Sequence, residues 1–310
     1  MKKRIVIYGA GERGKEFYHF LVNEGLEDIV FGFCDKEYQT IKKIEDAMVY
    51  DYEQIKSLEL HYVVTIADEG ERDKICRKIN TEGNTAGTFD SVAQLLGMDK
   101  VTFNRELCAY FHKSGMNSYF EAAEEKEHLD IFWGKNSIFF QNFTKLDLSN
   151  VIELACGRGR HVPMYISEAK RITLVDILPE NIEYCKKRFC EYKNILYYCN
   201  NGYNLEKLQS DYYSALFCYD AMVHFELLDI NEYLQDIYRV LKKGGYALIH
   251  HSNNGKDYKA SFASAYNGRS FMTKEVFAYL AYRAGFEIVS QKVIDWKIKD
   301  IDCISLIQKI

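Results

Sequence analysis

Two stretches of the chain share one layout: an apolar strand runs into a glycine turn, a helix follows, and a second apolar strand then ends in an acid. At the start, Arg4 to Tyr8 is a β-rich run, Gly9-Ala10-Gly11-Glu12-Arg13-Gly14 follows, and Phe17, Phe20 and Leu21 recur at helical spacing. The next strand, Val30 to Cys34, ends at Asp35, 21 residues after Gly14. In the second half, Val151-Ile152-Glu153-Leu154 runs into Ala155-Cys156-Gly157-Arg158-Gly159-Arg160-His161, and the strand Ile172 to Val175 ends at Asp176, 19 residues after Gly157. Parallel strands need a crossover, which a helix supplies, so this layout confines both stretches to α/β sheets.

The rest of the chain fits around these two units. At about 150 residues per domain, a length of 310 residues suggests two domains. Leu60 to Ile66 reads as a further buried strand of the first, and Arg72, Ile75, Cys76 and Ile79 give the next helix its faces, so residues 1–97 form one α/β domain. From Met98 to Gly134 the pattern is helical and reads as a connector and cap, with Glu121, Glu124, Glu125 and Glu127 on a solvated face. Strands then fall at 151–154, 171–175, 195–199, 215–219 and 246–250, so residues 135–310 form a second doubly wound sheet. Thr273 caps a last helix that Gly285 closes. Phe286 to Trp296 and Asp302 to Gln308 follow as two strands joined by a charged loop too short for a crossover, so they pair antiparallel.

Composition narrows the function classes. A hydrophobic fraction of 47% with 27% charged residues and 2 prolines describes a folded chain. No apolar run reaches the length of a membrane span, and the short run after Met1-Lys2-Lys3-Arg4 is no secretory signal, which predicts a cytoplasmic protein. Nine cysteines with no C-x-x-C pair argue against a disulfide framework or a zinc site. Residues 1–97 hold 13 Lys+Arg against 18 Asp+Glu, and the remainder 27 against 27, so neither part has the basic excess that nucleic acid binding needs.

An acid at the end of the first strand, a glycine turn and a second acid after the next strand together suit an adenosyl ligand lying across the carboxyl ends of those strands, with the second carboxylate accepting ribose hydroxyls. Over residues 135–310 the chain resembles the class I S-adenosylmethionine-dependent methyltransferases, which have an E-x-G-x-G-x-G turn, a ribose acid and a closing antiparallel hairpin. The Leu241 to Tyr246 passage before the fifth strand is similar too. The resemblance implies S-adenosylmethionine as cofactor, with Glu153, Ala155, Gly157, Gly159 and Arg160 around its methionine part, Asp176 and Ile177 at the ribose, and Asn200 or Asn201 near adenine. Tyr219 and Asp220 would line the methyl-transfer pocket. Ala155 stands where the family has its first glycine, a departure that reads as mild.

Methyl transfer to a hydroxyl also needs a proton acceptor, and Asp220, His224, His250 and His251 lie at the ends of strands four and five. Alternation puts His250 and His251 on opposite faces, and His251, nearer the strand end, is the preferred base with His224 second. Arg269 and Tyr119 are the substrate-binding candidates, with Phe120 and Trp133 as further aromatics in the cap. Gly9, Gly11, Gly14 and Asp35 fit a dinucleotide fingerprint, and this domain is similar to small Rossmann-like domains of bacterial sugar-modifying and surface-polysaccharide enzymes. It could hold a nucleotide or nucleotide-sugar, or serve only for docking.

The reading is thus two Rossmann-like domains in tandem, the second a methyltransferase acting on a small polar acceptor such as a hydroxyl of a sugar or nucleotide-linked sugar. The alternatives are a nicotinamide-dependent oxidoreductase centred on Gly9 to Asp35 and a non-catalytic nucleotide-binding regulator. No nucleic acid, metal or membrane partner is expected, and a homo-oligomer is among the states the sequence allows.

Overall fold

The computed structural model describes residues 4–114, 120, 122–265 and 267–310, so Tyr119 lies outside the described residues. The chain divides into two compact units, residues 1–114 with 262–268, and residues 115–261 with 269–310. The stretch 98–134 is therefore no separate connector. Helix α5 (Lys100–Ser114) sends Phe103 and Leu107 into the core of the first unit, and Phe132 and Trp133, at the end of α6 (Lys126–Trp133), enter the core of the second.

The first unit carries strands β1 (Ile5–Tyr8), β2 (Val30–Cys34), β3 (Lys43–Ile44), β4 (Ala47–Tyr50), β5 (His61–Val64) and β6 (Thr85–Gly87) in the order β3-β4-β2-β1-β5-β6, all neighbours parallel except β3 with β4. The chain leaves β1 to one side for β2 and later returns to the other side of β1 for β5, which puts a topological switch between β1 and β5. Phe17, Phe20 and Leu21 of α1 (Glu12–Asn23) pack one face with Phe33 and Phe89. Val6, Tyr62 and Ile79 of α3 (Glu69–Thr81) fill the other. The β3–β4 hairpin escapes sequence reading because a non-glycine residue, Glu45, turns it at φ 47°, without the Asn-Gly type of signal.

The second unit carries β7 (Val151–Leu154), β8 (Ile172–Asp176), β9 (Ile195–Cys199), β10 (Tyr213–Cys218), β11 (Leu241–Ser252), β12 (Phe286–Trp296) and β13 (Ile298–Lys309) in the order β12-β13-β11-β10-β7-β8-β9. The antiparallel ending is present, but the expected charged loop is mostly strand: Trp296 pairs with Ile298 across Lys297, which takes φ 56°. Strict alternation sorts the strands between two cores. Val151, Leu174, Phe217 and Leu248 face α6, α7 (Ile138–Phe143) and α8 (Val162–Tyr165), and Ile152, Val175, Leu216 and Ile249 face α10 (Leu227–Val240) and α11 (Lys274–Ala284). Thr273 caps α11 by accepting from Val276 N at 3.2 Å, and Gly285 closes it at φ 106°.

Candidate active site

The turn after β7 is built from left-handed residues: Ala155 has φ 56°, Gly157 53° and Gly159 74°. Ala155 thus takes a conformation that costs an L-residue about 1 kcal/mol, so the replacement of the family's first glycine is a strain rather than a neutral change. Packing also demands glycine at 159, where a Cβ would stand 2.5 Å from the Phe189 ring. At 157 a Cβ would come 3.0 Å from the ring of Phe120, which places that cap residue against the turn.

Two acids flank this turn with opposite degrees of satisfaction. Glu153 is 1% exposed; Tyr165 of α8 donates to its Oε2 at 2.7 Å, and Oε1 has no hydrogen-bond partner. Burial pushes its carboxyl up to about 8, against the lowering effect of the Tyr165 bond and of Arg160. Asp176 is also buried, yet fully engaged: Oδ2 accepts from Gly157 N at 2.8 Å, and Oδ1 from Leu178 N at 2.9 Å and Asn181 Nδ2 at 3.1 Å. Burial raises its carboxyl above the usual range while these three bonds pull it down. Asp176 therefore fastens the glycine turn to β8. Ile177 is half-buried beside it.

Asn200, just past β9, donates through Nδ2 to Asn204 O at 2.9 Å and to the Tyr233 hydroxyl at 2.7 Å, and its buried Oδ1 has no partner. Asn201 turns the following loop, its Oδ1 accepting from Asn204 N at 3.0 Å.

Beyond β10, Asp220 adopts φ 56°, and its Oδ2 accepts from Arg160 Nη2 at 2.9 Å. Arg160, expected at the methionine part of the cofactor, instead ties the glycine turn to the end of β10. Tyr219 packs between Phe132 and Phe139, each 4.5 Å away between ring centroids, and stacks on His250 at 4.6 Å.

The two adjacent histidines do lie on opposite faces, but the one beside Tyr219 and Asp220 is His250. The register pairs Phe217 with Leu248, so Tyr219 and His250 share a face. Asp220 N donates to His250 Nδ1 at 3.1 Å, which leaves the ring proton on Nε2, 3.2 Å from Asp302 Oδ2. His251 points into the opposite core. It is 0% exposed, stacks on Phe277 of α11 at 3.9 Å, donates from Nδ1 to Ser252 O at 2.8 Å and accepts on Nε2 from Ser305 Oγ at 2.9 Å. Both nitrogens are committed and burial pushes the ring down to about 3, so the preferred base of the sequence reading is a packing residue.

Arg269 differs from expectation as well. Its fork is buried on Asp302, with Nε to Oδ1 at 3.0 Å and Nη2 to Oδ2 at 2.7 Å, so it clamps a carboxylate of its own chain rather than an acceptor. Burial raises Asp302, but its bonds to His250 and Arg269 outweigh that and hold it below the usual carboxylate range. His224, half-buried in the turn Met222–His224, accepts on its carbonyl from Ser270 Oγ at 2.8 Å. Sequence reasoning missed Tyr165 and Asp302; an acid inside the apolar run Ile301 to Ile304 was the available signal for the second.

A ligand with hydrogen-bond donors at both ends fits this arrangement. Two buried acceptors without a hydrogen-bond partner among the described residues, Glu153 Oε1 beside the glycine turn and Asn200 Oδ1 past β9, suit the ammonium and the adenine amino group of S-adenosylmethionine. Among the described residues no cluster could hold a metal ion, and no described helix is long and apolar enough to cross a membrane.

Residues 151–245 match the family described as a methyltransferase domain, and residues 1–86 match one described as C2185-like, N-terminal. No curated protein sequence matches the chain. Among solved structures, the chain is similar to an S-adenosylmethionine-dependent methyltransferase from Clostridium acetobutylicum, at 15% identity and TM-score 0.48 over 62% of this chain and 98% of the other. It is also similar to one from Mesorhizobium loti, at 12% identity and TM-score 0.46 over 55% and 97%. The methyltransferase-domain match lies on the strands that carry Glu153 and Asp176 and on the loop that carries Asn200, so residues 151–245 of this chain form a methyltransferase domain.

Proposed function

We propose that the protein methylates a hydroxyl of a sugar or nucleotide-linked sugar, in the context of surface-polysaccharide biosynthesis that the resemblance of its first domain suggests. The observation that carries this reading is the Arg160–Asp220 ion pair set beside Tyr219 at the carboxyl end of β10, next to the glycine turn. A charged pair at this place suits an acceptor that offers hydroxyls to donate and accept hydrogen bonds.

When bound, S-adenosylmethionine supplies a methyl group made electrophilic by its sulfonium. Glu153 would hold the ammonium end through the oxygen that Tyr165 leaves open, Asp176 and Ile177 would border the ribose, and Asn200 with Asn201 would border the adenine. Asp220 is the base for the acceptor hydroxyl; Arg160 fixes its carboxylate, and the His250 ring holds its backbone N–H. His250, kept in one tautomer with its proton toward Asp302, positions Asp220 and touches no substrate. Alignment of the hydroxyl in this fixed frame supplies the rest of the rate.

Incubation with labelled S-adenosylmethionine and a panel of free sugars, nucleotide-linked sugars and amines tests the reading by product mass. We expect a sugar O-methyl product, and Asp220→Asn should lower turnover by about 10² to 10⁴ while leaving cofactor affinity intact. Methylation of amines alone, or unchanged turnover in Asp220→Asn, overturns it.

A further inference from the structure

Asp220 takes φ 56°, a left-handed conformation that a residue with a Cβ keeps only where its surroundings impose it. Arg160 Nη2 ties its side chain at 2.9 Å, and its backbone N–H donates to His250 Nδ1 at 3.1 Å. That second bond exists in one state of the ring only. A ring that accepts on Nδ1 carries its proton on Nε2; with the proton on Nδ1, two donors would face each other across the same gap. Whatever fixes the proton on Nε2 therefore also fixes the backbone that presents the Asp220 carboxylate.

Two buried side chains stand at that proton. Strands β11 and β13 pair Ser252 with Asp302 and His250 with Ile304, so His250 and Asp302 share one face as diagonal neighbours. Asp302 Oδ2 lies 3.2 Å from His250 Nε2, off the line of a directed hydrogen bond, and both side chains are 0% exposed. At that distance, out of water, the charge of the carboxylate favours the proton on the nearer nitrogen even without alignment. Arg269 sets the carboxylate in place with its two bonds, Nε to Oδ1 at 3.0 Å and Nη2 to Oδ2 at 2.7 Å, and these help to keep Asp302 ionised. Arg269 is itself held: its carbonyl accepts from Asn254 Nδ2 at 3.0 Å, and its guanidinium lies 5.8 Å over the Trp296 ring.

We propose that Asp302 and Arg269 are positioning residues for methyl transfer: they fix His250 as the Nε2–H tautomer, and the ring in turn fixes the left-handed backbone of Asp220. The inference rests on the reading of Asp220 as the base and gives a role to two residues that act through others. A buried ion pair is a poor source of stability, because both charges lose their hydration. Its place beside the ring that bonds Asp220 N points to orientation instead. A reacting group displaced by about 1 Å loses about 10²-fold in rate, which sets the scale of what the pair protects.

The test reads the ring directly, on the full chain with its histidines labelled with heavy nitrogen. NMR of the ring nitrogens, with His250→Asn to assign the signal, should show a bare Nδ1 and a protonated Nε2. In Asp302→Asn that single signature should give way to a mixture or to the reverse tautomer. Turnover of the sugars and nucleotide-linked sugars named above should then fall about 10- to 10²-fold, while S-adenosylhomocysteine affinity by calorimetry stays within about twofold. Should Asp302→Asn fail to fold, Arg269→Met combined with Asp302→Leu removes both charges together and should give the same result. The His250→Asn background separates positioning from packing: its carboxamide oxygen can accept from Asp220 N wherever a proton sits, so either change at Asp302 should add no further loss of turnover there. An Nδ1-protonated ring in the wild type, an unchanged tautomer in the folded Asp302 variants, or the same loss from the Asp302 change in both backgrounds overturns the proposal. The tautomer is read without any acceptor, so these results stand apart from the assay of Asp220 as the base.

Discussion

Replacing Glu153 by glutamine should make the protein more stable at alkaline pH. The carboxyl is fully buried with one oxygen unpaired, and burial moves it from 4.5 to about 8. Below pH 4.5 the folded and unfolded states both carry the proton, so the group contributes no difference. Between 4.5 and 8 the unfolded chain releases the proton while the folded one keeps it, and stability falls by about 1.4 kcal/mol per pH unit, or about 5 kcal/mol across the window. Glu153→Gln keeps the shape and an oxygen for Tyr165 but cannot ionise. Urea unfolding of both proteins from about pH 5 to about pH 8 should show the variant gaining about 4 kcal/mol on the wild type over that range. A cationic ligand at Oε1 reverses the balance by favouring the carboxylate, so wild-type affinity for S-adenosylmethionine should tighten with pH up to about 8 and the affinity of Glu153→Gln should stay flat. Parallel stability curves for the two proteins would refute the argument, because they would mean that Glu153 is already ionised in the folded apo state.

Two further outcomes follow from the same geometry. His251→Asn should leave turnover of the folded enzyme near the wild-type level; it should also remove the loss of stability that the wild type suffers as pH falls below 6.5, where the unfolded histidine gains a proton that the buried ring, pushed down to about 3, refuses. A turnover loss of about 10² or more would return it to the mechanism. Gly159→Ala should cost about 2 to 4 kcal/mol, from a left-handed φ of 74° and a Cβ 2.5 Å from Phe189, with cofactor binding lost alongside; a thermal midpoint within a degree or so of wild type would contradict this.

Much of the architecture was legible because it rests on local chemistry. Strand positions followed from apolar runs, and Thr273 and Gly285 marked α11 by their capping roles. What stayed hidden depended on register and on distant partners. The choice between His250 and His251 turns on which residue of β11 lies beside Tyr219; the pairing of Phe217 with Leu248 decides it, and that pairing shifts past a bulge at Tyr213 to Ala215. Arg269 looked like an anion clamp because Asp302, 33 residues on, could not be known to face it. The inclusion of residues 262–268 in the first unit is equally invisible from a loop sequence.

The acids of the two fingerprints carry a different lesson. In each unit a carboxylate at the end of the second strand accepts on Oδ2 from the glycine turn after the first strand and on Oδ1 from the residue two positions ahead: Asp35 from Ala10 and Glu37, Asp176 from Gly157 and Leu178. Bonds of this charge-assisted kind stabilise by about 1.5 to 3 kcal/mol each. The spacing of glycine turn and acid is therefore dictated by the joining of two parallel strands before any ligand arrives. Such a fingerprint reports strand order first. Evidence for a ligand has to come from what the chain leaves unmatched, and Glu153 Oε1 and Asn200 Oδ1 are two such buried atoms in the second unit.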